Sequence, residues 1–137
     1  MKICYISNSA APSRNASSLQ TAKLCESLVA EGHKVKLILP NTGLKKNYFK
    51  FYDIKKRFKI IRIKKFNQFP IGLNYYLYSI ISIAHALKQD INLFITRNFF
   101  TSLILSILNK NHIFEIHDDL IIEGRFIRFF HKITKFL

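Results

Sequence analysis

The chain has 137 residues, which is enough for one domain with a real core and too few for two ordinary domains. Hydrophobic residues make up 49% of the chain and aromatic residues 14%, which excludes disorder as the main state. Two cysteines in apolar surroundings, Cys4 and Cys25, exclude a disulfide framework and are typical of a reducing compartment. Because we find no secretory signal and no clean transmembrane run, we expect a cytoplasmic protein.

Positive charge is the strongest compositional signal. The chain carries 22 Lys and Arg against 8 Asp and Glu, a formal net charge of +14. Such a charge favours nucleic acid, acidic lipid or phosphorylated substrates as partners. The segment 45–65 is the most basic, and it predicts an anion-binding or membrane-facing surface at Lys55, Lys56, Arg57, Lys64 and Lys65. A general bias of the composition toward Lys, Ile, Asn and Phe explains the same charge, so both interpretations stay open.

The first elements alternate between strand and helix. The apolar run 2–6 predicts a buried strand, and the small polar residues that follow it predict a loop. Asn15 or Ser17 can cap the next helix, and Ser17 with Gln20 fits a capping box. The helical period predicts a core-facing set of Leu19, Ala22, Leu24, Cys25, Leu28 and Val29. Gly32 then predicts the end of the helix, and the run 35–39 predicts a second buried strand.

The rest of the chain continues this alternation. We predict strands at 58–63, 92–96 and 112–116, a loop at 67–72, helices at 74–87 and 101–108, and an amphipathic segment at 121–137. This order predicts a single α/β domain over 1–137, Rossmann-like, with a mostly parallel sheet of about five strands and helices on both faces. The carboxyl ends of parallel strands then form one edge of the sheet, where such folds bind their ligands.

Three predicted loops meet at that edge: 7–18, 96–98 and 117–119. Arg97 follows a strand directly and can hold a carboxylate or phosphate through two hydrogen bonds, although a salt bridge to Glu115, Asp118 or Asp119 is an equally good prediction. His117, also at a strand end, can donate to a sugar hydroxyl or act as a general acid or base, although a lone histidine is more often structural.

Several common sites are excluded by their missing motifs. The first loop contains no glycine, so it cannot be a dinucleotide-binding fingerprint, and no Walker sequence or serine-hydrolase elbow is present. The histidines are too scattered for metal-ligand spacing, so we expect no bound metal. The helix start near Ser17, with Arg14 beside it, can bind an anion or can simply be a capped helix end.

Several segments resemble the N-terminal domain of family 4 glycosyltransferases. They are the opening 2–7, the loop at Asn15 and Ala16, the segments 20–24 and 28–35, the turn 96–98 and the strand end 114–118. The resemblance covers nearly the whole chain. It implies one half of a GT-B enzyme, in which two Rossmann-like domains flank a cleft, and retaining transfer from a nucleotide-sugar co-substrate without a further cofactor. The acceptors of this family are often lipid-linked or cell-envelope glycans.

The resemblance also implies roles for particular residues. His117 matches the strand-end histidine that faces the donor sugar, which makes it the predicted catalytic residue. Positions that match the substrate-binding lining of the cleft are Ser9, Arg14, Asn15, Arg97, Asn98 and Asp118. The first loop departs from the family because it lacks the paired glycines. The donor domain is also missing from these residues, so we expect no sugar transfer by the chain alone. Three interpretations stay open: a truncated gene product, a fragment of a longer chain, and half of a split enzyme whose partner is a separate donor-domain subunit.

Two other functions stay open at this point. A basic nucleic-acid-binding module explains the charge and the aromatic residues that interleave with it, although no known nucleic-acid-binding signature appears. A non-catalytic partner subunit would dock through its last predicted helix, whose apolar residues are Phe126, Ile127, Phe129, Phe130 and Ile133. If the basic segment rests on anionic lipid, the protein is peripheral to the inner face of the membrane.

Overall fold

The computed structural model describes residues 1–43, 46–64 and 71–116, except the side chain of Ile71. Five parallel strands form one sheet in the order β3-β2-β1-β4-β5. The elements in chain order are β1 (Lys2–Ile6), α1 (Ala16–Ala30), β2 (Lys34–Asn41), α2 (Tyr48–Phe51), β3 (Lys59–Lys64), α3 (Ile71–Leu87), β4 (Leu93–Thr96), α4 (Phe99–Ile107) and β5 (His112–Phe114). The predicted Rossmann-like α/β fold is confirmed.

Both faces of the sheet are covered. Side chains alternate along a strand, so in β1 Ile3 and Tyr5 join one core cluster, while Cys4 and Ile6 join the other. The first cluster includes residues of α1 and α2, and the second includes residues of α3 and α4. A strand that is buried on both faces needs apolar residues at every position, which explains the uninterrupted apolar runs in the sequence.

Helix α1 lies where it was predicted, and most of its predicted core-facing set is confirmed: Ala22 and Cys25 are buried, and Leu24, Leu28 and Val29 pack against the first core cluster. Leu19 is instead 45% exposed, and the buried face includes Ser18 and Thr21. Asn15, one of the two predicted caps, occupies the N-cap position but makes no side-chain hydrogen bond there, and the alternative cap Ser17 lies inside the helix. The end of the helix is as predicted: Gly32 has φ +83°, a left-handed conformation that glycine adopts without steric cost.

The remaining differences concern short elements and boundaries. The sequence analysis missed α2, whose first turn is capped by the Asn47 side chain at 3.1 Å from the backbone nitrogens of Phe49 and Lys50. Helix α3 begins before residue 74 and includes Gly72, so the predicted loop was too long at that end. Helix α4 begins at Phe99 because Asn98 caps it, and β5 ends at Phe114, two residues earlier than expected.

The strand order creates a switch point between β1 and β4. From β1 the chain moves outward through β2 to β3, and it then returns to place β4 and β5 on the other side of β1. The connections that leave the carboxyl ends of β1 and β4 therefore diverge and leave a crevice between them. In open α/β sheets this crevice is the usual place for a ligand.

Candidate functional site at the carboxyl edge of the sheet

An ion pair joins the ends of β4 and β5 at this edge. Arg97 follows β4, and its Nε donates to Oε2 of Glu115 at 2.7 Å. Its Nη1 donates to the carbonyl of Ser17, in the first turn of α1, at 3.2 Å. Each side chain of the ion pair is 21% exposed. Of the uses predicted for Arg97, the structure shows the salt bridge to Glu115. Through this bridge and the bond to Ser17, Arg97 joins the ends of β4, β5 and α1.

Tyr5 in β1 forms a hydrogen bond with the carboxylate of this ion pair. Its hydroxyl donates to Oε2 of Glu115 at 2.8 Å. Thr21 of α1 lies beside it, with Oγ1 at 3.4 Å from the Tyr5 hydroxyl oxygen and 2.9 Å from the Ser17 carbonyl, to which it donates. Burial raises the pKa of Tyr5 well above its ordinary value, so the phenol is a neutral donor at neutral pH.

The sequence analysis missed both Tyr5 and Thr21. Tyr5 stands in an apolar run and was interpreted as a core residue, which it also is, since it is fully buried. The one available signal was the polar hydroxyl itself, because a buried tyrosine hydroxyl usually has a hydrogen-bond partner.

The first loop is held in place by side chains from distant elements. The Tyr78 hydroxyl donates to the Ser7 carbonyl at 2.7 Å, and Arg62 Nη1 donates to the Ala11 carbonyl at 2.9 Å. The Tyr52 hydroxyl accepts from the Ser13 N–H at 2.7 Å and donates to the Ser13 carbonyl at 2.8 Å. The loop also contains a cis peptide bond between Ala11 and Pro12. A loop without glycine thus has a defined path beside the crevice.

Three predicted substrate-binding residues lie on this loop. Arg14 and Asn15 are exposed just before α1, and Ser9 is half-buried. The Ser9 N–H donates to Oγ of Ser7 at 3.2 Å, which turns the chain away from the end of β1. The structure therefore places a cation and two short polar side chains on the connection that leaves the switch point.

Asn98 has an interior role that differs from the predicted contact with substrate. It is 5% exposed, and its Oδ1 accepts from the Thr101 N–H at 3.2 Å and from the Tyr75 hydroxyl at 2.6 Å. Its Nδ2 donates to Oγ of Ser79 at 2.7 Å. These bonds fix the turn from β4 to α4, which in turn holds Arg97 at the edge.

The predicted catalytic residue His117 lies outside the described residues, as do Asp118 and Lys65. The last functional side chain that the structure describes on this segment is Glu115, two positions before His117. The roles predicted for His117 and Asp118 stay predictions.

The predicted basic surface lies on the α1 side of the sheet. Lys55, Lys56, Arg57 and Lys64 are exposed. The backbone N–H groups of Lys55 and Lys56 donate to Oε1 of Glu26 at 2.5 Å and 3.2 Å, and Lys23 Nζ donates to Oε2 at 3.0 Å. These donors lower the pKa of Glu26, with the Lys55 N–H contributing most. The backbone of this surface is thus fixed to α1 through one carboxylate.

Three aromatic residues of the basic segment belong to the core. Tyr48 is 4% exposed, Tyr52 5% and Phe58 8%. Tyr48 packs edge-to-face against Tyr52 and Phe58, with ring centroids 4.9 Å and 6.1 Å apart. Their faces are therefore closed to nucleobases, and the stacking surface that a nucleic-acid-binding module would use is not formed by these rings.

The described residues show no group of three His, Cys, Asp or Glu side chains able to hold a metal ion. Over the same residues, no helix combines the length and apolar character needed to cross a membrane. Comparison with known proteins adds no family: no model of a protein family matches the sequence, and a search of curated proteins finds no match.

The edge holds positive charge at the switch point. Arg97 is oriented by two partners, the buried Tyr5 supports this arrangement by donating a hydrogen bond to Glu115, and the exposed Arg14 brings a further positive charge. Guanidinium groups bind anionic and hydroxyl-rich ligands such as phosphates and sugars.

Proposed function

We propose that this chain forms the acceptor side of a retaining glycosyltransferase, which moves a sugar from a nucleotide-sugar to a glycan or lipid-linked acceptor of the cell envelope. The observation that supports the proposal best is the joining of Tyr5, Arg97 and Glu115 at the switch point of a parallel sheet. This network forms a preorganised polar floor where α/β folds bind ligands. The resemblance of the sequence to family 4 glycosyltransferases supports the same function.

The chain on its own does not transfer sugar in this proposal. Displacement at an anomeric carbon needs the leaving phosphate to be neutralised. The guanidinium of Arg97 already pairs with a carboxylate, so it is a poor counter-ion for a diphosphate. We therefore assign donor binding to a separate domain or subunit. The acceptor, if lipid-linked, would bring this domain to the inner face of the membrane as a peripheral protein.

Amide chemical shifts of the uniformly ¹⁵N-labelled chain test the acceptor site. Geranyl phosphate serves as a short analogue of a lipid-linked acceptor, and inorganic phosphate serves as its control. We expect geranyl phosphate to shift the amides of residues 7–15 and of Arg97, because these flank the crevice. Arg14→Ala should weaken the binding several-fold, because it removes an exposed cation from the loop.

A matched control is Lys110→Ala, which removes an exposed cation after α4, away from the carboxyl edge. Equal binding losses in Arg14→Ala and Lys110→Ala would show that only net charge matters, and would contradict the proposed site. Turnover of UDP-glucose by the purified chain, well above background, would contradict the assignment of donor binding to another domain. Tight, salt-sensitive binding of single-stranded DNA would instead favour the nucleic-acid-binding module.

A further inference from the structure

The outer layer formed by α3 and α4 carries no charged residue of the Asp, Glu, Lys or Arg type. This is unusual in a chain with 22 Lys and Arg. The outward face of a surface helix is normally polar, because it meets water. Here the polar surface is concentrated elsewhere, and the exposed side chains described in α3 are apolar or aromatic apart from His85.

An apolar stripe runs along the whole of α3. Leu73 is 45% exposed, Tyr76 41%, Ile80 48% and Leu87 38%. Ala84, which is also exposed, falls between the last two. The spacings of three and four residues place all five on one face of the helix. We call these five residues the α3 stripe.

The stripe faces away from the domain. The opposite side of α3 packs into the second core cluster, where Tyr78, Ile83 and Ala86 are buried. At the start of the stripe, the Tyr76 ring packs edge-to-face on Phe100 of α4, with centroids 4.7 Å apart. Tyr75 is 40% exposed beside it. The buried side of α3 therefore holds the helix on the domain, and a surface that covers the stripe would displace no core contact.

Lysines cluster at the C-terminal end of the stripe. Lys36 in β2 pairs in register with Lys59 in β3. Both lie on the α3 side of the sheet, because Lys36 shares a strand face with Ile38, and Lys59 with Ile61 and Ile63, which contribute to the second cluster. Lys36 Nζ donates to Oε1 of Gln89, just past the end of α3. The exposed Lys88 immediately follows Leu87. The stripe thus ends in positive charge.

We propose that the α3 stripe docks on an anionic lipid bilayer. Its aliphatic residues would enter the boundary between headgroups and acyl chains, Tyr76 and the neighbouring Tyr75 would lie at headgroup level, and the lysines would contact acidic headgroups. The charge argues against a second copy of the chain as occupant, because each copy carries +14 and would repel the other. This proposal does not depend on sugar transfer.

Sedimentation with lipid vesicles tests the proposal on the full chain. One set of vesicles contains phosphatidylcholine alone, and the other contains phosphatidylcholine with phosphatidylglycerol. We expect binding to the anionic vesicles, and Ile80→Lys should reduce that binding by about tenfold by placing a charge inside the apolar contact. Because this variant gains a positive charge, adsorption driven by charge alone would be kept or strengthened instead.

The chain offers a closely matched control. Leu19 on α1 is 45% exposed, against 48% for Ile80, and α1 covers the opposite face of the sheet. Leu19→Lys adds the same charge at an equally exposed leucine, so it should bind anionic vesicles at least as well as the wild type. Circular dichroism of both variants checks that each is folded.

A second measurement locates the contact directly. Ile80→Cys and Leu19→Cys are each labelled with an environment-sensitive fluorophore, while the native Cys4 and Cys25 stay unlabelled because they are 1% and 0% exposed. Anionic vesicles should shift the emission of the probe at position 80 to shorter wavelength and leave the probe at position 19 unchanged.

Four results would overturn the proposal. Equal binding of Ile80→Lys and Leu19→Lys, or an equal response of the two probes, would show that the α3 stripe is not the contact. Loss of binding only on neutralising Lys55, Lys56 and Arg57 to Gln would move the contact to the basic surface on the α1 side. If the wild type forms dimers that Ile80→Lys dissociates, while vesicle binding is unchanged, the stripe is an interface between copies of the chain.

Discussion

The ion pair between Arg97 and Glu115 should contribute measurably to folding stability. Both side chains are 21% exposed, and the nitrogen and oxygen are 2.7 Å apart. Exposed pairs contribute about 0–1 kcal/mol, whereas breaking a buried pair costs about 3–5 kcal/mol, so for Glu115→Gln we expect a loss of about 2 kcal/mol. The physical reason is that the variant leaves a partly desolvated guanidinium without its counter-charge.

A double-mutant cycle isolates the pairwise contribution. The wild type, Arg97→Met, Glu115→Gln and the double variant are unfolded with urea at neutral pH and followed by circular dichroism. We expect a coupling free energy of about 1–2 kcal/mol. The same cycle with Lys2→Met and Asp90→Asn is the control, because the side chains of this pair are 44% and 77% exposed, and its coupling should be clearly smaller.

Coupling between Arg97 and Glu115 of less than about 0.5 kcal/mol, within the usual error of additivity, would refute the reasoning. It would mean that the two side chains meet at the edge without stabilising each other. The floor of the proposed site would then not be preorganised, and the orientation of Arg97 would have to come from its other contacts.

Three further predictions concern groups around the site. Burial raises the pKa of Cys4 and Cys25 from the ordinary 9.0 to about 12, so above pH 9.0 the thiols of the unfolded chain lose their protons while those of the folded chain keep them. Between pH 9.0 and 10.0, before the buried tyrosines Tyr5, Tyr48 and Tyr78 contribute, the free energy of unfolding from urea titrations should fall with a slope that approaches about 1.4 kcal/mol per pH unit for each thiol, and a flat profile there would contradict the burial of the thiols. Tyr52→Phe removes two hydrogen bonds to the first loop and should lower the free energy of unfolding by about 1–2 kcal/mol. Amide hydrogen exchange in that loop should become faster, and unchanged exchange would show that other contacts hold the loop. Asn98→Ala should lower the free energy of unfolding by about 2–3 kcal/mol and Asn15→Ala by much less, because the Asn98 side chain caps its helix and the Asn15 side chain does not. Similar losses in the two variants would be inconsistent with the structure.

The fold was predictable because its signals are local. Buried strands read as apolar runs, Gly32 marks the end of α1, and the alternation of strands and helices indicates a parallel sheet. The missed helix α2 is short, and its cap Asn47 lies in a lysine-rich segment without helical periodicity. Leu19 was misplaced because the helical period allows two neighbouring faces, and the tertiary structure chose the one with Ser18 and Thr21.

The site was predictable only in part. Its location follows from topology, since parallel strands end at a common edge, and Arg97 was recognised by its position after a strand. Which of several carboxylates pairs with Arg97 depends on distances that sequence spacing does not contain. The polar contacts of Tyr5 and Asn98 could not be predicted for a related reason: the Tyr5 hydroxyl lies within an apolar run, and the Asn98 side chain, at a strand end, caps a helix.

The tethers on the first loop have a consequence for how this protein can change. Three side chains bind the loop through its main-chain atoms. Tyr78 binds the carbonyl of Ser7, and Arg62 binds the carbonyl of Ala11. Tyr52 binds both the N–H and the carbonyl of Ser13. Apart from proline at position 13, which lacks the N–H, any amino acid presents those same atoms. Substitutions at positions 8–10 and 14–15 can therefore change the side chains that the loop presents beside the crevice, while the path of the loop is conserved.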